Sequence, residues 1–172
     1  AVLEGHSAAV NRVIWSPDGT HLASASADET AIIWDVATGA PITVLAGHIN
    51  AVTSVAWSPD GTLIATAGRD RAVYVWDATS GERLFAANGH ANDVNDVAWA
   101  PDGSRLLTAA DDATARLWDA SPGDALQVAV VHLGADRGRP RIGHDDLGHQ
   151  DAAGGRHERR RRPAGRLGHQ RG

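Results

Sequence analysis

The chain of 172 residues contains no cysteine, no methionine and no lysine, and only one phenylalanine and one tyrosine. Without cysteine there is no disulfide and no thiolate metal site. Without lysine, positive charge rests on arginine, and all 16 basic residues are Arg. Together with abundant Ala and Gly, that usage points to coding from GC-rich DNA. The missing methionine leads to the expectation that the chain is a piece of something longer. No run approaches the roughly 18 uninterrupted apolar residues that a membrane helix requires. Residues 1–15 lack a basic leader followed by an apolar stretch, the mark of a signal peptide. A cytoplasmic protein without membrane association is the expectation.

Charge is unevenly spread. Residues 1–131 hold 6 Arg against 16 Asp and Glu, whereas residues 132–172 hold 10 Arg against 5. The formal net charge of −5 therefore averages an acidic body and a basic end.

What the chain does have is a repeat. His6, His48 and His90 are spaced by 42 residues, as are Trp15, Trp57 and Trp99, and Trp34, Trp76 and Trp118. Three units align without a gap, and self-similarity at a period of 20–50 residues signals a repeat architecture. Each unit reads as four short strands. In the first unit these are Val10–Trp15, Thr20–Ser26, Thr30–Trp34 and Pro41–Leu45, separated by turn formers at Pro17-Asp18-Gly19, Asp28 and Thr38-Gly39. Runs of about five residues rich in Val, Ile, Thr and Trp, bounded by Gly, Pro and Asp, are strand signals. Segments such as Ala31-Ile32-Ile33-Trp34 are apolar at successive positions, as expected where both sheet faces are covered. One unit cannot cover both its faces, but stacked neighbours can.

The pattern resembles the WD40 repeat family. The matching residues are the Gly-His pairs (Gly5-His6, Gly47-His48, Gly89-His90) and the Trp-Asp pairs (Trp34-Asp35, Trp76-Asp77, Trp118-Asp119), with Pro-Asp-Gly and the turn residues Asp28, Asp70 and Asp112. The resemblance covers residues 5–130 and implies an all-β, partial β-propeller of three four-stranded antiparallel blades. The expected division is the end of a preceding outer strand at 1–4, blades at 5–46, 47–88 and 89–130, and an irregular or disordered tail at 131–172.

The loop carrying His6 and the turn carrying Asp28 fall at the same end of an antiparallel blade, so the imidazole can hydrogen-bond the carboxylate. His48 with Asp70, and His90 with Asp112, repeat the arrangement. The resemblance extends this network through a strand hydroxyl and the Trp indole, positions matched by Ser26 and Trp34, with Trp76 and Trp118 in the later blades. Gly68 and Ala110 stand in place of Ser26, so the hydroxyl link is expected to be missing there and those blades looser or hydrated, unless Thr66 and Thr108 substitute. The three histidines can also be read as a metal triad, or the His–Asp pairs as part of a hydrolase triad. Residues that recur in every blade serve every blade, which favours a structural role. No Ser-His-Asp order, G-x-S-x-G, H-E-x-x-H or phosphate-binding Gly loop appears. No catalytic residue, metal ligand or cofactor is therefore expected.

Recognition on a repeat scaffold should fall where the repeats differ. The resemblance implies exposed rim positions at Ala9, Asn11 and Ala27, at Ala51, Thr53 and Arg69, and at Asp93, Asn95 and Asp111. The partner-binding candidates are Asn11, Thr53, Arg69, Asp93, Asn95 and Asp111. Asp111 beside Asp112, with Asp93 and Asp96 close in sequence, makes a negative patch suited to a basic peptide, or an ordinary solvated acidic surface. An acidic body does not suit phosphate binding, so only the tail offers a nucleic-acid contact.

Known propellers close with roughly four to eight blades. Either further blades of a parent chain complete the ring, which is the favoured reading, or several copies do, or the fragment is unstable. His132 lies 42 residues after His90, so a fourth repeat begins on schedule, yet Arg141 stands where the next Trp is due. Low hydrophobicity and high charge after that point predict disorder. Four readings of the tail compete: an arginine-rich nucleic-acid arm around Arg159–Arg162, a metal site at His144, His149 and His157, a natural flexible tail, and a fourth repeat read out of frame, the last being preferred. The function expected overall is a non-catalytic interaction scaffold that binds a protein or peptide at its loop-lined end. The alternatives are a propeller segment of a larger enzyme or signalling protein, and nucleic-acid binding through the tail.

Overall fold

The computed structural model describes residues 2–120 throughout, and the backbone alone of Val128–His132 and Ile142–Gly143. Among them lie thirteen strands and no helix. The first sheet runs in the order β1 (Val10–Trp15), β2 (His21–Ser26), β3 (Thr30–Asp35), β4 (Pro41–Ala46). The second contains β5 (Val52–Trp57), β6 (Leu63–Gly68), β7 (Ala72–Asp77) and β8 (Arg83–Asn88). The third contains β9 (Val94–Trp99), β10 (Arg105–Ala110), β11 (Thr114–Asp119) and β12 (Val128–His132), with the two-residue β13 (Ile142–Gly143) added beside β12. Every pairing is antiparallel between successive strands.

The Pro-Asp-Gly turns explain why β1 ends where it does. Gly19, Gly61 and Gly103 adopt φ of 72–75°, a left-handed conformation that a side chain disfavours. Asp18 Oδ1 accepts the Ser16 hydroxyl at 2.6 Å and the Thr20 N–H at 3.0 Å, closing the turn on itself.

A second local device recurs in the first strand of each blade. The register with the neighbouring strand skips one residue at Asn11, at Thr53 and at Asn95. Such a β-bulge re-aims the extra side chain. The third blade departs in its outer strand, where Thr114 pairs with His132. Thr30 and Ala72 pair with Ala46 and Asn88, two residues earlier in repeat terms. A shift of two keeps the alternation of faces. It also draws His132 into a strand, where the repeat spacing alone would make it the Gly-His landmark of a fourth unit. The other features expected of the tail, including Arg159–Arg162, the three histidines and the out-of-frame reading, fall outside the described residues.

The cores sit between the sheets. At the first junction Ala23, Ala25, Ala31, Ile33 and Leu45 of blade one meet Val52, Val55, Ile64 and Trp76 of blade two. At the second, Ala65, Ala67, Val73, Val75 and Ala87 meet Val94, Val97, Leu106 and Trp118. One face of each junction is largely alanine and the other is bulky, so two pleated sheets approach closely with little void. Val52, Val55 and Val94 are fully buried, each contributing about 1.5–3 kcal/mol relative to exposure. The equivalent residues of blade one, Val10 and Val13, are 50% and 53% exposed, because no blade among the described residues covers that face.

Candidate interaction face

The loops that enter β1, β5 and β9 meet the turns between the second and third strands at one end of the blades. Each His lies there beside its Asp. His6 Nδ1 is 2.9 Å from Asp28 Oδ2, His48 Nδ1 2.9 Å from Asp70 Oδ2, and His90 Nδ1 2.9 Å from Asp112 Oδ2. The same carboxylates accept the N–H of Ser7, Ile49 and Ala91. Two loops are thus fastened by one side chain in each blade.

On the inner side, each imidazole Nε2 meets a strand hydroxyl: Ser24 at 2.7 Å, Thr66 at 2.8 Å and Thr108 at 2.7 Å. The same hydroxyls accept the indole N–H of Trp34, Trp76 and Trp118 at 2.7–2.9 Å. This corrects the expectation for Ser26, whose hydroxyl instead lies 3.4 Å from the Ala8 carbonyl and accepts the Asp28 N–H. Ser24 is the residue two positions earlier on the same face, opposite Ile32 in β3. The later blades are not deprived of their link either, since Thr66 and Thr108 occupy the Ser24 position.

In blade two donor counting fixes the protons. The indole has only a donor, so the Thr66 hydroxyl accepts from Trp76 and donates its single hydrogen to His48 Nε2. His48 Nδ1 then carries the imidazole proton and donates to Asp70. Burial lowers the pKa of His48 despite the opposing attraction of Asp70, which keeps this imidazole neutral. For Asp28, burial pushes the carboxyl up, but the Thr30 hydroxyl, the Ser7 N–H and His6 outweigh it and hold the group well below its ordinary range. Asp112 follows the same rule through Thr114, Ala91 and His90.

Blade two shows a variation. His48 lies 4.3 Å from the Tyr74 ring, and its imidazole sits over Gly68, where an added Cβ would fall 2.6 Å from Nδ1. The glycine that replaces Ser26 in the repeat is therefore a seat for the histidine.

The residues expected to face a partner divide into two groups. Asn11 Nδ2 donates to the Val52 carbonyl at 2.7 Å, and the Thr53 hydroxyl donates to the Val94 carbonyl. Both are bulge residues whose polar atoms join one blade to the next. The third bulge residue, Asn95, donates instead to Asp111. Arg69, Asn95 and Asp111 are exposed, with Asp93 half-buried.

Ionic contacts mute the acidic patch read from the sequence. Arg69 Nε lies 3.9 Å from Asp93. Arg12 reaches from blade one to Asp96 of blade three at 2.7 Å, and the Ser54 hydroxyl donates to the same oxygen from blade two at 2.7 Å. Residues 12, 54 and 96 hold one repeat position, so this line ties all three inner strands together. Sequence reasoning missed it, and missed Ile49, which is 81% exposed beside His48. The signal for Ile49 was its contrast with Ser7 and Ala91 at the same repeat position. Among the described residues, no three His, Asp or Glu side chains gather as a metal site.

Comparison with known proteins agrees with this geometry. The family model described as WD domain, G-beta repeat matches residues 1–35, 39–77 and 81–119, each match closing on a Trp-Asp pair. The chain is 58% identical over 40 residues to Protein Mut11 of Chlamydomonas reinhardtii, covering 23% of this chain and 11% of that protein. It is 45% identical over 42 residues to a subunit of chromatin assembly factor 1 from Gallus gallus, covering 24% and 7%. Among solved structures, the RRP9 WD40 repeats superpose with a TM-score of 0.70 at 26% identity, covering 74% of this chain and 40% of theirs. The U3-55K structure gives 0.70 at 25%, covering 76% and 43%. The chain thus spans less than half the length of these structures and about a tenth or less of the curated relatives.

Proposed function

Because the chain belongs to the WD40 repeat family, whose propellers generally bind proteins, we propose that it is part of a non-catalytic scaffold holding a protein or peptide at the end that carries the His–Asp loops. One observation carries the reading. At that end the repeated polar residues are consumed by the network, whereas Arg69, Asp111 and Ile49, at positions that differ from blade to blade, stand exposed. A rigid rim with blade-specific side chains discriminates partners, because the positions that would vary are not needed for folding. One relative is by name a component of a chromatin assembly factor, which agrees with a role inside complexes. With Asp93 and Asp96 already paired to arginines, Asp111 is the carboxylate best placed to meet a basic side chain, with Ile49 offering an apolar anchor.

Selection of random peptides displayed on phage against the immobilised chain tests this. Selected peptides are expected to carry a basic residue and to lose affinity by about 10-fold or more against Asp111→Arg or Ile49→Asp, the size of a hot-spot contact. Peptides that bind both variants as well as the parent chain would overturn the reading.

A further inference from the structure

The fourth strand of each sheet, β4, β8 and β12, ends the repeat at a sheet edge, where a row of main-chain N–H and C=O groups invites pairing with another chain. Two of the three are blunted. β4 opens on Pro41, which has no N–H, and its register against β3 skips Ile42. β8 opens on Arg83 and skips Leu84 against β7. Proline, charge and bulges are the ordinary devices that keep a sheet edge from recruiting a further strand.

β12 has none of them. Val128–His132 contains no proline, arginine or carboxylate, and Val128, Val130 and Val131 are of the type that favours strands. Its register against β11 is continuous from Thr114 opposite His132 to Trp118 opposite Val128, with no residue skipped. Among the described residues, this is also the fourth strand that holds a further one. β13 lies antiparallel to it, with Gly143 opposite Val130 and Ile142 opposite Val131. As a cover, β13 is poor. It has two residues, where strands usually have roughly three to ten, and one of them is glycine, a weak strand former. Val128, Ala129 and His132 have no opposite number on that side among the described residues.

We propose that the outer edge of β12 is a strand-addition site, separate from the His–Asp loops. It takes an extended, uncharged segment of a partner protein in the antiparallel direction and gives up β13 to do so. The edge dictates the chemistry of its ligand. Main-chain donors and acceptors in a row, with the next strand position about 4.8 Å away, are matched along their length by another extended main chain. β13 supplies the direction. β-branched side chains on the incoming segment pair well opposite the valines of β12. Because β13 sits in the partner's place, it lowers the apparent affinity by the fraction of molecules whose edge is open.

Amide hydrogen exchange of the full chain, read on the fragment covering Val128–His132, tests this with acetyl-Thr-Val-Thr-Val-Thr-amide as the probe. The peptide is expected to slow exchange in this fragment saturably and to leave the fragments of β4 and β8 unchanged. The same peptide N-methylated at every residue keeps its side chains but loses its main-chain N–H groups, and is expected to give no protection. Ile142→Pro removes an N–H from β13 and should quicken exchange at Val130 and Val131 when no peptide is present. It should also tighten peptide binding by about 3-fold or more, the gain from an opened edge. A fragment that ignores the peptide in both chains, protection by the N-methylated form, or equal protection of β4 and β8 would overturn the proposal. Ile142→Pro binding no more tightly than the parent chain would do the same. Protection that rises with protein concentration alone would assign the edge to a second copy of the chain, and would overturn it too.

Discussion

At the scale of single residues, the His–hydroxyl–Trp line is a satisfied buried network, and such networks are costly to break. Thr66 carries two obligations, accepting from Trp76 and donating to His48. Thr66→Val keeps the shape but leaves both groups unpaired, each at about 1–3 kcal/mol. Thr66→Ser keeps the hydroxyl and should recover most of the loss, as chemical denaturation of the two variants would show. Titration of His48 supplies a second expectation. Its pKa is lowered in the fold, so below the unfolded value of about 6.5 the unfolded chain takes up a proton that the folded chain refuses. Stability therefore rises with pH through this window and falls as pH drops from 7 towards 5. His48→Gln is expected to lower the melting temperature at pH 7 yet flatten its dependence between pH 7 and 5. Below about pH 4, Asp28 and Asp112 add a further loss, because their depressed carboxyls stabilise the fold only while ionised. The His–Asp pairs were legible in the sequence because they recur at a fixed period. Ser26 invites misreading because Ser24 and Ser26 both offer a hydroxyl on one face. The column of Ser24, Thr66 and Thr108 keeps a hydroxyl in every blade, and that is the discriminating signal.

At the scale of strands and blades, the turns and strand limits followed from local chemistry, since Pro-Asp-Gly and the Gly and Asp punctuation act within a few residues. The bulges did not. A skipped residue at Asn11, Thr53 or Asn95 breaks no propensity rule, and its consequence appears only when the next blade is in place. Thr53 shows what the bulge achieves, because its one hydroxyl hydrogen is shared between the Ala67 carbonyl of its own blade and the Val94 carbonyl of the next. Thr53→Val removes this joint without emptying space. The expected cost is about 1 kcal/mol, the net worth of an ordinary hydrogen bond. Amide exchange should quicken in β9 before it does in β2 or β3, reporting a loosened second junction. Uniform quickening across all three sheets would instead mean that the blades open as one unit. The line from Arg12 through Asp96 to Ser54 was illegible for the same reason as the bulges. It pairs residues two repeats apart, and an exposed ion pair of this kind adds only about 0–1 kcal/mol.

At the scale of the whole molecule, the two internal junctions define what an uncovered face would accept. Each joins an alanine-rich face to a face of Val, Leu or Ile with Trp. Among the described residues, blade one presents the second kind without a partner, with Val10, Val13 and Trp15 exposed by 50–59%. Blade three presents the first kind, where Leu107 is 48% exposed in the position of the buried Ala23 and Ala65. These two open faces carry the positions that already meet inside the chain, so the occupant they fit is another blade of the same repeat. For the isolated chain, the available copy of such a blade is a second molecule, its third blade docked on the first blade of its neighbour. Contacts of this head-to-tail type close into rings when the rotation allows and extend otherwise. Sedimentation of the 172-residue chain should therefore show association that grows with concentration. Val13→Glu, which places charge in the open face of blade one, should shift the chain towards the monomer, and Leu107→Glu should do the same from the other side. Because each contact uses one face from each molecule, a mixture of the two variants should still pair through the faces left intact while building nothing larger than a dimer. A chain that stays monomeric at all concentrations, or variants that associate as the parent does, would show that these faces do not recognise one another.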